Sequence, residues 1–208
     1  MPTSNLFSYL YSMCEGFTRL VYVNLLWILF SVIGLLLFGI GPATSAMFTV
    51  IRKWVVGQED INVFQTFWQA YKQDFWKANA IMWILVLGAY LLYIDFLFIG
   101  NFGGLVTTLL SGLLLFFTLL YLLILVYIYP IFVSFKLKPL QYVKYAIHFG
   151  LSSPMSMLTI IGTALFMYYL IIFIPAVFPF FSGSVISFVI MKQAKQIIKK
   201  IENKHATA

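Results

Sequence analysis

The side chains equipped for chemistry are few and widely separated in this sequence. It has two histidines, His148 and His205, and one cysteine, Cys14. The histidines lie too far apart for the spacings that put two imidazoles on one zinc ion. A single cysteine forms no internal disulfide. No metal site or cofactor is expected. His205 falls in a polar tail and reads as solvated, and His148 reads as part of the polar face of a surface helix. No glycine-rich loop ends in Lys-Ser or Lys-Thr, so no phosphate-cradling loop is legible. Two polar residues stand inside apolar runs, Asn24 and Asp95. A carboxylate at a bilayer centre costs about 2.5–3.5 kcal/mol on insertion scales, so such residues usually serve a purpose. Two roles fit Asp95. It reaches the membrane boundary or accepts a bond from Tyr90 or Tyr93, the preferred reading, or it is a cation or proton site. Asn24 reads as a packing residue that bonds across helices.

One further constellation combines small residues with hydroxyls: Gly39, Gly41, Pro42, Ala43, Thr44, Ser45 and Ala46. Gly-Pro ends one helix and starts another, because proline suits the first helical position, where no amide hydrogen is needed. Free amides and the positive end of the helix dipole, with Thr44 and Ser45 hydroxyls, would suit an anion. The alternative, preferred here, is a packed corner at which small residues admit a neighbouring helix.

The elements that must position these groups follow from composition. The chain has 208 residues, of which 62% are hydrophobic and 9% charged, with mean hydropathy +0.98 and formal charge +7. Soluble domains carry about 25% charged residues, so the main solvent of this chain is lipid. About 20 apolar residues cross the hydrocarbon, and five stretches qualify: residues 20–40, 80–100, 105–133, 155–174 and 176–191. The expected class is an all-α membrane protein forming one membrane domain, with amphipathic interfacial helices at 42–56, 61–78 and 140–149 and a basic tail at 192–208. In 61–78, Asp60 is the expected N-cap, and Phe64, Phe67, Trp68, Tyr71 and Phe75 share a face suited to a partner. Arg52, Lys53, Lys192, Lys195, Lys199 and Lys200 are placed to meet anionic lipid. With five spans, every basic residue except Arg19 falls on one face, which is cytoplasmic by the positive-inside rule. The N-terminus is then outside, unless residues 5–19 dip into the membrane and return. No nucleic-acid motif accompanies the positive charge, so nucleic acid is not an expected partner.

The stretch "VNLLWILFSVIGLLLFGIGPATSAMFTVIRKWVVGQEDINVFQTFWQAYKQDFWKAN" carries Asn24-Leu25-Leu26-Trp27, Gly39-Ile40-Gly41-Pro42-Ala43 with Ala46, Arg52, Gly57, Glu59, Phe64, Phe67, Tyr71-Lys72 and Phe75. It resembles the YesL family of bacterial membrane proteins. The resemblance implies a Gram-positive cytoplasmic membrane protein, often encoded beside carbohydrate-uptake transporters and sensor kinases. It carries no catalytic residue over to this chain. The expected function is a non-catalytic accessory or scaffolding subunit, bound to membrane lipids and to other membrane subunits such as a carbohydrate ABC importer or its sensor kinase. The alternative is a small oligomeric transporter or channel using Asp95. Without clustered Asp, Glu, His or Cys, an enzyme is not expected.

Overall fold

The computed structural model describes residues 3–99 and 103–206, and among these every regular element is helical. The order is α1 (Thr3–Ile33), α2 (Ile40–Val56), α3 (Val63–Gln73), α4 (Phe75–Ile99), α5 (Gly104–Ser134), α6 (Pro139–Ser152), α7 (Pro154–Phe173), a 3-10 turn (Pro175–Val177), α8 (Phe178–Phe181) and α9 (Ser184–Ala206). Four stretches among these residues are long and apolar enough to cross a bilayer: Cys14–Ile33, α4, α5 and α7. A fifth crossing is broken, with Pro175–Phe181 and Ser184–Lys200 meeting at a 50° bend. The uncharged outer turn expected at 101–104 includes Asn101 and Phe102, which lie outside the described residues.

Helix α2 is the core of the molecule. Its residues Gly41, Pro42, Ala43, Ser45, Ala46, Met47, Phe48, Val50 and Ile51 are all buried. They pack against α1, α3, α4, α5 and α9. The expected interfacial helix at 42–56 is therefore an interior one. Its small residues let surrounding backbones approach, so a short helix of modest hydropathy fits where a bulkier one would not. The first expected span, 20–40, also changes: α1 starts at Thr3 and ends at Ile33, and residues 34–39 turn the chain back. In that turn Leu35 and Leu36 adopt left-handed backbone angles, φ 57° and 60°. Branched side chains avoid this region. Closure holds them there, because Gly39 sits so close to the Ser31 carbonyl that no Cβ would fit.

The chain forms successive antiparallel helix pairs. In α1–α2, Trp27 Nε1 donates to Thr44 Oγ1 at 3.0 Å. In α4–α5, the Tyr121 hydroxyl donates to the Leu85 carbonyl at 2.8 Å. Helix α6 folds back along α5. Its Phe149 ring meets Tyr127 at 6.2 Å between centroids, and its Tyr142 hydroxyl donates to the Phe135 carbonyl at 3.2 Å. The apolar face expected at 140–149 is real, but Ala146 and Phe149 turn it toward α5 and not toward lipid. The helix expected at 61–78 divides at Asp74 into α3 and the start of α4. Its N-cap is Asn62, whose side chain accepts from the Gln65 amide at 3.0 Å, not Asp60.

A Cβ at Gly41 would stand 2.9 Å from the Ala78 carbonyl oxygen of α4. Gly41→Val forces α2 and α4 apart, and overpacking of this kind costs about 1–3 kcal/mol. A lower thermal midpoint in detergent, read by tryptophan fluorescence, is the expected result. An unchanged midpoint contradicts the α2–α4 contact.

Candidate functional site

The small-residue corner engages Thr44 and its backbone internally, while the buried Ser45 Oγ has no hydrogen-bond partner among the described residues. Thr44 Oγ1 donates to the Ile40 carbonyl at 2.7 Å while accepting from Trp27. The Ile40 and Ala43 amides donate to Leu36 and Gly39 carbonyls at 3.2 and 3.0 Å. Pro42 has no amide hydrogen to offer. Pro42, Ser45 and Ala46 are buried within the bundle. The corner thus presents no ring of free amides to an anion.

The aromatic face of α3 closes over one residue of α1, Phe30. The Phe67, Trp68 and Tyr71 rings lie 5.2, 5.4 and 5.1 Å from it, and Phe64 lies 6.3 Å away. Phe75 stacks edge-on against Tyr71 at 5.7 Å. Phe67 and Tyr71 are buried, whereas Phe64 and Trp68 keep an exposed edge. Lys72 sits over the Trp68 ring at 4.7 Å. Burial pushes the Tyr71 hydroxyl above the usual phenolic range. The face expected to bind a partner is largely occupied by the protein's own first helix.

Asn24 is fully buried and joins the two ends of the chain. Its Nδ2 donates to the Pro179 carbonyl at 2.8 Å. Its Oδ1 accepts from the Gly183 and Ser184 amides, both at 3.0 Å. These are the orphan donors at the N-terminus of α9, where the broken crossing bends. A side chain from α1 therefore caps a helix whose own sequence supplies no cap bond of this kind. Asn79 plays a related part that the sequence reading missed. Its Nδ2 donates to the Phe38 carbonyl in the α1–α2 turn at 3.0 Å and to Phe75 at 2.9 Å.

Asp95 lies in a groove of about 330 Å³ between α4 and α5, lined by Leu92, Phe98, Leu110 and Phe117. Its side chain is exposed on the bundle. Among the described residues it has no hydrogen-bond or ionic partner, and neither Tyr90 nor Tyr93 reaches it. The expected lipid-facing basic residues diverge. Lys192, Lys199 and Lys200 are exposed, Arg52 and Lys53 are half-buried, and Lys195 Nζ donates to the Val55 carbonyl at 2.7 Å, tying α9 to the end of α2. His148 is exposed, and the His205 side chain lies outside the described residues.

Arg19 does not stand apart from the other basic residues. Its guanidinium pairs with Glu15 at 2.6 Å and with Glu59 at 3.2 Å, and it lines one groove with Trp54 and Lys192. The i,i+4 spacing of Glu15 and Arg19 was legible in the sequence. Glu59, forty residues away, was not.

Apolar crossings joined by buried carboxamides and hydroxyls define a multi-pass, all-α membrane protein. The chain belongs to the YesL family. Residues 20–96 match the family described as protein of unknown function, DUF624. Over 189 residues it is 35% identical to the uncharacterized protein YteU of Bacillus subtilis (strain 168), covering 91% of this chain and 85% of that one. It is 34% identical over 208 residues to YesV of the same organism, covering 96% of each chain, and 31% identical over 192 residues to YesL, covering 92% and 90%. No solved structure matches it.

Two measurements check this geometry. Asn24→Ala leaves buried amides without an acceptor, at about 1–3 kcal/mol for each unsatisfied group. Its thermal midpoint is expected to fall clearly, with Asn24→Asp, which keeps the acceptor, falling less; equal midpoints for all three proteins rule out the cap. Burial raises the Asp74 carboxyl above the usual range, against the opposing pull of Lys77 and Lys136. A raised folded pKa adds stability below the unfolded value, about 3.9, and that stability is lost as pH rises through the folded value. Asp74→Asn should therefore match the parent near pH 4 and exceed it in midpoint near pH 7. A gap that does not change with pH refutes this.

Proposed function

We propose that this protein is a non-catalytic accessory or scaffolding subunit of the bacterial cytoplasmic membrane, associated with a carbohydrate ABC importer or its sensor kinase. The observation that carries the reading is the outer half of the α4–α5 pair. There Leu87, Leu91, Phe96, Leu109, Leu113 and Phe116 are exposed on the bundle, and Asp95 stands among them without a partner in the described chain. Asn24, Thr44 and Asn79 hold helices and turns together, whereas this pair leaves an apolar surface and one carboxylate for a neighbour. The choice of a sugar importer or its kinase rests on the resemblance to the YesL family alone. Extraction in mild detergent and identification of co-purifying subunits tests it. An importer or kinase subunit that disappears from the sample with Asp95→Leu is expected. Repeated recovery of the protein with no such subunit sinks the reading. Ion or solute flux in proteoliposomes, abolished by Asp95→Asn, would favour a transporter instead.

The same reading places the C-terminus, and the end of the molecule that holds Glu59 and Lys192, on the cytoplasmic side. The α1–α2 pair returns the chain to the end at which it started, where Arg19 meets Glu59 and Lys192. With five crossings every basic residue from Arg52 onward lies in a link or tail on that side, as the positive-inside rule favours. Glu59→Cys in a Cys14→Ser background should react with a membrane-impermeant maleimide only after protoplasts are permeabilised. Labelling of intact protoplasts would return that end of the molecule to the outside.

A further inference from the structure

The end of the molecule at which α1, α2 and α9 converge holds a groove of about 710 Å³. Its charged lining is Glu15, Arg19, Glu59 and Lys192, and Phe17 and Trp54 supply apolar walls. Arg19 uses one nitrogen on each glutamate, which leaves further guanidinium N–H donors. Each glutamate uses one oxygen on Arg19, which leaves its second oxygen to accept. Lys192 is exposed and has no ionic partner among the described residues. The groove is thus neutral in sum but strongly dipolar. A simple anion meets two carboxylates there, and a simple cation meets Arg19 and Lys192. A ligand bearing both charges satisfies both halves.

The position narrows the ligand further. Lys192 follows the apolar stretch 185–191 of α9, and Arg19 lies near the start of the crossing Cys14–Ile33. Charged residues and tryptophan at such points mark the headgroup layer. Arginine and lysine bind phosphate through charge-assisted hydrogen bonds. A primary ammonium carries three donors for carboxylate oxygens, and its trimethylated counterpart carries none. We propose that this groove binds a phospholipid with a phosphoethanolamine headgroup, its phosphate on Lys192 and Arg19 and its ammonium on Glu59 and Glu15.

The test uses full-length protein stripped of lipid in detergent. Phosphatidylethanolamine, phosphatidylcholine or phosphatidylglycerol is added in mixed micelles, and the thermal midpoint and the lipid retained in native mass spectra are read. Phosphatidylethanolamine is expected to raise the midpoint about 4 °C more than the other two, with one molecule retained per chain. Lys192→Gln and Glu59→Gln should each remove at least half of that rise. Both side chains are exposed, and each variant is compared with its own lipid-free midpoint, so a change in folding is read separately. Equal rises with all three lipids, a larger rise with phosphatidylglycerol, or a rise unchanged in both variants overturns the proposal. A full rise with soluble phosphoethanolamine overturns the assignment to a membrane lipid.

Discussion

In hydrocarbon a backbone amide has no water to fall back on, and each one left unpaired costs several kcal/mol. A crossing broken in its interior is therefore tenable only if something else binds the freed groups. Here that partner is the carboxamide of Asn24. It accepts from two amides at the start of α9 and donates to the carbonyl of Pro179. A carboxamide suits the task because it offers donor and acceptor together without a charge. Once this junction is made, α1 and the last crossing are fixed against each other, and Met47 of α2 lies beside Gly183 at the same point.

The other polar contacts obey the same constraint. Trp27 with Thr44, Tyr121 with Leu85 and Asn79 with Phe38 each join one helix to another element through a single short hydrogen bond. Between lipid-facing helices, van der Waals contact and such bonds replace the hydrophobic effect as the source of association. That accounts for α2. Its Gly41 admits the Ala78 carbonyl of α4 closely, and α2 becomes the core although other helices are more apolar. The segments richest in leucine, along α4 and α5, are instead the least covered.

Charge is arranged on a different principle. The ion pairs of Arg19 and the Lys195 bond to Val55 gather where α1, α2 and α9 converge. Exposed ion pairs contribute little to stability. Their consequence is more a local field and a shaped polar groove at the membrane boundary than a gain in folding energy.

Much of the architecture was legible in the order of residues. Hydropathy is additive along a chain, so the apolar stretches of α4, α5 and α7 lie within a few residues of their expected limits. The amphipathic faces of α3 and α6 were readable from helical spacing. What covers those faces was not, because periodicity marks a buried side without saying whether lipid, another protein or the same chain buries it. The corner at Gly39 and Pro42 was visible as a helix break, whereas the turning back of α2 into the interior was not. Asn24 was visible as a polar residue in an apolar run, yet its partner stands 155 residues away. By itself the sequence determined that this is a helical membrane protein with sparse charge, since both follow from summed local composition. Only the tertiary structure decided that α2 is the core, that Asn24 caps α9 and that Arg19 sits with Lys192. Each of these depends on which distant surfaces fit closely enough to satisfy one another's backbone and charge.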